Sequence, residues 1–423
     1  MQVAGFHLDV VFHALGDTVV AAAHDEAGRH WVLKVLDSEQ PSPELLARWR
    51  HEFDVLRRLD SPWVIRAEAL LQAGRRCVLV LEGFGQGDLA RLIAQGELSL
   101  GERLHLAVAL AEAVSSVHAQ GLLHGDIAPK NVLVDRDAGR LKLCDFGLAC
   151  PLSHEARPNA QGFPQGTLAY LAPEQTGRTN LEVDQRSDFY ALGATLYELF
   201  CGEPPFTTRD PLALLHAQLA LRPPLLCDRI PNFPPALSDV VARLLEKAPE
   251  ARYQSSHGLL RDLQHCLTSW RDLGRIPAFV TARHDVPERF CLTRRLVGRE
   301  GPKAALLAAF DRACAGGNGL VLVSGAAGVG KSALVASLQA PVLERSGHFL
   351  RGKFDQFQRH RPYAALGDAF GPLMQGLAVE PDAPAWRDRL RTALGEHAAA
   401  VAELVPGLTL LTGPMPALPL LPP

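Results

Sequence analysis

The chain has no uninterrupted run of about 18 apolar residues, no CxxC pair and no surplus of basic charge, and each absence removes a class of answer. Without such a run, no segment reads as a membrane-crossing helix. The N-terminus, MQVAGFHLDVVFHALGD, meets His7 and Asp9 too early to hold the apolar core of a secretory signal. The eight cysteines are scattered, with no histidine cluster at zinc spacing, so they read as small buried hydrophobes and not as a disulfide or zinc framework. A formal net charge of -3 lacks the field with which nucleic-acid binders neutralise phosphates. The expectation is a soluble, cytoplasmic protein with no membrane insertion and no nucleic-acid partner.

What is present is ordinary globular composition, 47% hydrophobic and 21% charged, over 423 residues, enough for two or three domains. The first thirty-odd residues alternate apolar and polar, broken at Gly16-Asp17 and Ala27-Gly28, and read as antiparallel strands ending in WVLKVL. From Pro43 the spacing becomes helical, with Leu45, Leu46, Trp49, Phe53, Leu56 and Leu59 on one face until Ser61-Pro62. A further strand, CVLVLEGF, precedes helical stretches at 101–120, 185–201, 208–221 and 236–246. Residues 271–295 lack a sustained period, hold Gly274, Pro277 and Pro287, and read as a linker. Beyond it, LVLVSGAAGVGKSALVASL reads as strand, loop and helix.

Phosphoryl transfer from ATP needs charge neutralisation, metal placement and a carboxylate that orients the attacking hydroxyl. The chain supplies candidates in order. Lys34 sits on the WVLKVL strand, where its ammonium would reach the α and β phosphates, and Glu52 on the following helix is placed to pair with it. HGDIAPKNVLV then offers Asp126 to orient the substrate hydroxyl, and Asn131 with Asp145 of the DFG tripeptide would hold Mg2+. A lone DFG is a common accident. One that follows DxxxxN by some twenty residues between short apolar strands is not.

Over about residues 6–268 these residues resemble the protein kinase family, which implies an α+β two-lobed protein kinase fold with a small lobe over about 1–83 and a large lobe over about 84–270. GTLAYLAPE, Gly166 to Glu174, is similar to that family's substrate loop, with Glu174 implied to pair with Arg252, and Asp188 is implied to brace the catalytic loop. The resemblance places the adenine-binding hinge at Glu82 to Phe84 and implies ATP, Mg2+ and a protein substrate phosphorylated on Ser or Thr. Three departures stand against the pattern. Only Gly16 represents the GxGxxGxV phosphate loop; Gly125 replaces the Arg that receives a phosphorylated activation loop; and Ala128 replaces a Lys, while Lys130 lies where some tyrosine kinases carry Arg. Two readings therefore stand: an active kinase, leaning to Ser/Thr over Tyr, or a pseudokinase scaffold that binds nucleotide.

The stretch GAAGVGKS fits GxxxxGKS, so Gly325 and Gly330 shape a phosphate cradle, Lys331 meets the β and γ oxygens and Ser332 would ligate Mg2+. Together with LVGRE upstream and Arg351–Leu366 downstream, it resembles the AAA-like ATPase domain that follows a serine/threonine kinase in large bacterial signalling proteins. The expectation is a partial α/β P-loop NTPase domain over 296–423, apparently truncated, with no Walker B carboxylate after Ser332.

Overall fold

The computed structural model describes residues 2–15, 17–38, 41–73, 76–85, 87–136, 138–152, 166–176, 181–208, 210–286, 298–326, 329–338, 341–342, 345, 347–350, 352, 363–378, 383–405 and 407–413. Gly16, Ser153, Leu296, Val297 and most of 351–366 lie outside the described residues. The chain divides into two units, residues 1–156 with 165–293 and residues 157–164 with 294–423.

The first unit opens with strands β1 (Gln2–Val3), β2 (Phe6–Leu15), β3 (Thr18–His24), β4 (His30–Asp37), β5 (Ala67–Ala73) and β6 (Arg76–Glu82), paired antiparallel in the order β1-β2-β3-β4-β6-β5. Only β5 was not anticipated by the alternation. Even-numbered residues of β4 point one way: Val32 and Leu36 join Val20, Leu79 and Leu81 in the main core. Odd-numbered Leu33 and Val35 pack on the opposite face with Val78 and Val80. Being buried on both faces, β4 reads as a nearly continuous apolar run, and Lys34 is its one interruption.

Helix α1 (Pro43–Arg58) lies across the sheet's core face, burying Trp49, Glu52, Val55 and Leu56. Ser42 caps it by accepting from the Leu45 N–H, and Pro43 takes the first turn, where no N–H is needed. The rest of this unit is mainly helical: β7 (Gly87–Asp88), α2 (Leu89–Gln95), α3 (Leu100–Ala119), β8 (Leu122–Leu123), β9 (Val132–Asp135), β10 (Arg140–Leu143), β11 (Cys150–Pro151), α4 (Gln185–Cys201), α5 (Pro211–Ala220), α6 (Leu226–Arg229), α7 (Pro235–Leu244) and α8 (Ser256–Leu273). A Ser99–Glu102 capping box starts α3, and α4, nearly all buried, forms the centre around which α3 and α7 pack.

The stretch read as a linker begins inside α8. Gly274 ends that helix at φ +64, Ile276 enters the core, and the Asp285 carboxylate accepts from Gln254 N, Ser255 N and Ser255 Oγ. Polar satisfaction, invisible to periodicity, ties these residues to the helical part.

In the second unit α9 (Glu300–Cys314) and α10 (Lys331–Ala336) precede a helical cluster of α11 (Ala364–Ala378), α12 (Ala383–Leu394), α13 (Ala398–Leu404) and α14 (Leu408–Thr412). The cluster closes on Met374, Leu377, Val405, Leu408 and Leu411. One expectation is corrected here. LVLVS (320–324) forms no strand ladder, and Leu320 and Leu322 are 88% and 85% exposed. A strand needs a neighbour's N–H and C=O groups, and no strand occurs among the described residues of this unit.

Glu174 and Arg252, both 0% exposed, form a two-pronged ion pair at 2.6 and 2.9 Å. Ser187 donates to the same carboxylate, and Arg252 also donates to the carbonyls of Arg186, Glu246 and Lys247. Removing the carboxylate leaves a buried, uncompensated guanidinium. Glu174→Ala is expected to destabilise the protein by about 3–5 kcal/mol, read from urea denaturation, whereas an exposed pair such as Arg136–Glu97 is expected to contribute about 1 kcal/mol or less.

Candidate active site

Lys34 leaves β4 on the core face and meets two carboxylates. Its Nζ lies 2.8 Å from Glu52 Oε2 on α1 and 2.9 Å from Asp145 Oδ1, and 5.3 Å from the centre of the Trp49 ring. The Lys34 side chain is 11% exposed, Glu52 1% and Asp145 22%. Burial works against the ammonium, but the Glu52 and Asp145 charges outweigh it and hold the Lys34 pKa above its ordinary value. Burial likewise opposes ionisation of Asp145, where the Lys34 ammonium and Arg48 win and hold the carboxyl well below the usual range. Glu52 is the more deeply buried partner, and desolvation pushes its carboxyl up against the pull of Lys34. The cleft-facing carboxylate is thus the one most firmly ionised.

Asp145 has φ +63, a left-handed conformation that costs a non-glycine residue about 1–3 kcal/mol. The packed Phe146 that follows, 0% exposed with its ring centre 4.5 Å from that of His124, holds it there. The 132–143 hairpin of β9 and β10 delivers Asn131 and Asp145 from its two ends, and the Cys144 N–H donates to the Asn131 carbonyl at 3.0 Å.

The turn containing Asp126 is fastened from below. Asp188, 1% exposed in the first turn of α4, accepts from His124 N, Gly125 N and His118 Nε2 at 2.8–2.9 Å. His124 donates through Nε2 to the Cys144 carbonyl and accepts the Asp126 N–H at Nδ1, which fixes one neutral tautomer. Asn131 Nδ2 donates to the Asp126 carbonyl and, at 3.2 Å, to Asp126 Oδ2. Gly125 has φ +80, and a Cβ there would lie 3.0 Å from the Leu148 carbonyl oxygen. Lys130 lies half-buried in the same turn and makes no hydrogen bond or ion pair among the described residues.

At the end of β6, Glu82 accepts from Arg66 N and from Lys142 Nζ, while Phe84 sits half-buried with the Lys142 ammonium 5.4 Å from its ring centre. Lys331 begins α10, but its Nζ donates to the carbonyls of Gly325 and Ala326; Gly330 caps the helix at φ +89 and Ser332 is exposed.

Two residues escaped sequence reasoning: His51 of α1 donates to the Ala149 carbonyl at 2.7 Å, and Arg48 packs against Gly147. Neither carries a local signal, because each contact joins elements far apart in sequence. Within the loop Gly166 to Glu174, the Thr167 N–H donates to Asp126 Oδ1 at 2.7 Å while its own hydroxyl is buried with no partner. Tyr170 donates its hydroxyl to Glu198 of α4, and so fixes the far end of the same loop.

These parts belong to a two-lobed α+β fold, and comparison with known proteins gives its family. A family described as protein kinase domain matches residues 16–263, more than half of the chain, and an AAA ATPase domain matches residues 295–417. The chain belongs to the protein kinase family and carries an AAA ATPase domain behind the kinase domain. It is 33% identical over 60% of its length to a hybrid signal transduction histidine kinase G of Dictyostelium discoideum, of which the match covers 8%. It is 30% identical over 62% of its length to a probable serine/threonine-protein kinase of Streptomyces coelicolor, covering 40% of that protein. With serine/threonine-protein kinase PknF of Mycobacterium tuberculosis it shares 31% over 59% of its length and 53% of the relative's. The chain therefore spans 8 to 53% of these relatives. No helix among the described residues is long and apolar enough to cross a membrane.

Asp188 yields a pH prediction. Burial opposes its charge, and the bonds from His118 and His124 more than compensate, so its pKa is lowered from 3.8. A carboxyl with a depressed folded-state pKa contributes stability above its unfolded value and loses that contribution as pH falls through the folded one. Asp188→Asn is expected to lower the urea midpoint at neutral pH and to flatten its decline below about pH 4. An acid limb as steep as that of the unsubstituted protein would refute the assignment.

Proposed function

We propose that the chain is an ATP-dependent protein kinase that transfers the γ-phosphoryl group to Ser or Thr hydroxyls of a protein substrate in bacterial-type signalling. The observation carrying this reading is the joint presence of the Lys34–Glu52–Asp145 ion network and the anchored Asp126–Asn131 pair on two sides of one cleft. Lys34, held charged by Glu52, pairs with the α and β phosphates of ATP, whose adenine meets the backbone of Glu82 to Phe84. Asp126 accepts from Thr167 N and Asn131 Nδ2, which fixes both carboxylate oxygens and leaves lone pairs to orient the substrate hydroxyl and take its proton. Lys130, four residues after Asp126 in the same turn, is assigned to meet the transferred charge.

The residues present fit Mg2+. Both amide hydrogens of Asn131 engage Asp126, which leaves its oxygen as a donor, and Asp145 adds an ionised carboxylate; Mg2+ takes such hard oxygen ligands from one or two side chains and completes its shell with phosphates and water. When bound, it neutralises charge between the phosphates. The pseudokinase alternative draws on Gly16 standing alone in the phosphate loop. Asp126→Asn and Lys34→Met are each expected to lower kcat by about 10²–10⁴-fold in transfer of labelled phosphate to casein, with the fold retained. Activity equal to that of the unsubstituted chain in either variant would favour the scaffold reading.

For the AAA ATPase domain we propose nucleotide binding without efficient hydrolysis. Lys331, now donating to two loop carbonyls, exchanges them for the β and γ oxygens, and no strand among the described residues presents a Walker B carboxylate. In chains carrying Asp145→Ala to stop turnover at the first cleft, a further Lys331→Ala is expected to remove one class of fluorescent-ATP sites and leave the other, with negligible phosphate release in both. Binding indifferent to Lys331 would reduce the motif to a structural turn.

A further inference from the structure

The loop of residues 167–170 is held by a chain of hydrogen bonds that ends on a half-buried lysine, Lys247. Gln218 of α5, 1% exposed, donates through Nε2 to the carbonyls of Ala169 at 2.6 Å and Leu168 at 3.3 Å. Its Oε1 accepts from the hydroxyl of Tyr190 on α4 at 2.6 Å, and Tyr190 is 0% exposed. The Tyr190 oxygen accepts in turn from Lys247 Nζ at 2.9 Å, which also donates to the Ala217 carbonyl at 3.2 Å. The ammonium lies 4.9 Å from the ring centre of Phe206 and 5.3 Å from that of Tyr190, contacts that favour a cation.

Only one polarity satisfies this chain. An ammonium has three donors and no acceptor, so Tyr190 must accept from it and spend its single hydrogen on Gln218. Gln218 must then turn its oxygen to Tyr190 and its NH2 to the loop carbonyls. A neutral amine has a lone pair, which permits Tyr190 to donate toward Lys247 instead; Gln218 Oε1 then loses the Tyr190 hydrogen bond, and only the two loop carbonyls hold its amide.

We propose that Lys247 is a positioning residue whose charge sets the direction of the Tyr190–Gln218 relay and thereby the placement of the substrate loop Thr167–Tyr170. This rests on the kinase reading of that loop, whose first residue is already bonded to Asp126. Burial, with Arg252 nearby, lowers Lys247 to about 7, so the relay changes state within the neutral range. The charged and titratable neighbours are few. Arg252 lies 4.9 Å from the Tyr190 ring centre and is paired with Glu174, Glu246 on the same turn favours the ammonium, and burial keeps the Tyr190 hydroxyl protonated.

The test uses the full chain and its Lys247→Arg and Lys247→Met variants, with casein phosphorylation followed from pH 6 to 8.5. In the unsubstituted protein, KM for casein is expected to rise on the order of 2- to 10-fold with pH, what one net hydrogen bond contributes, while KM for ATP follows the ordinary profile. Lys247→Arg should hold the low casein KM across the range, and Lys247→Met should show the high value throughout. A casein KM in Lys247→Met that matches the unsubstituted protein at pH 6, or a loss shared equally with ATP, would overturn the proposal. Amide hydrogen exchange of residues 167–170 decides the matter even without turnover: it should quicken in Lys247→Met and stay protected in Lys247→Arg, and unchanged protection in both overturns the relay. Transfer as poor in the unsubstituted chain as in Asp126→Asn would instead sink the kinase reading, with exchange still judging Lys247.

Discussion

One lysine between two carboxylates holds the first unit to its purpose. Lys34 comes from β4, Glu52 from α1 and Asp145 from the end of β10, so a single ammonium joins the sheet, the helix across it and the helical part of the unit. Such burial is costly for any one of these charges. Removing either carboxylate weakens the hold on Lys34, and removing the lysine leaves two negative charges facing each other. The site is therefore a position where stability and charge placement are coupled, and the left-handed backbone of Asp145 persists because its neighbours leave it no alternative.

The second organising centre is Asp188. By accepting two backbone N–H groups and one imidazole, it fixes the Gly125 peptide from beneath, and the fixed peptide aims Asp126 upward. This explains a departure from the family pattern. Gly125 lacks the side chain that would receive a phosphate, and its positive φ and the nearby Leu148 carbonyl describe a tight turn in which glycine sits without strain. His51, bonded to the Ala149 carbonyl, supplies a direct link from α1 to the segment after Asp145, one that needs no phosphate.

The P-loop of the second unit shows how far a motif depends on its surroundings. Lys331 and the glycine cap of α10 are in place, yet the apolar stretch before them stays exposed because nothing among the described residues pairs with it. Local spacing specifies the turn and the helix start; only neighbouring strands convert 320–324 into a strand.

By itself the sequence determined the class of fold and the order of the chemical groups. Periodicity located α1, α3 and α4 within a residue or two, because their apolar faces repeat at helical spacing, and the spacing from Asp126 to Asn131 to Asp145 was legible because one short hairpin must span it. Tertiary structure decided which polar groups meet. His118 with Asp188, Thr167 with Asp126, Asp285 with the start of α8, Lys247 with Tyr190, and Tyr190 with Gln218 all join residues tens of positions apart. Each pairing arises because a buried donor or acceptor must find a partner once water is excluded, a requirement that appears only when the elements have packed.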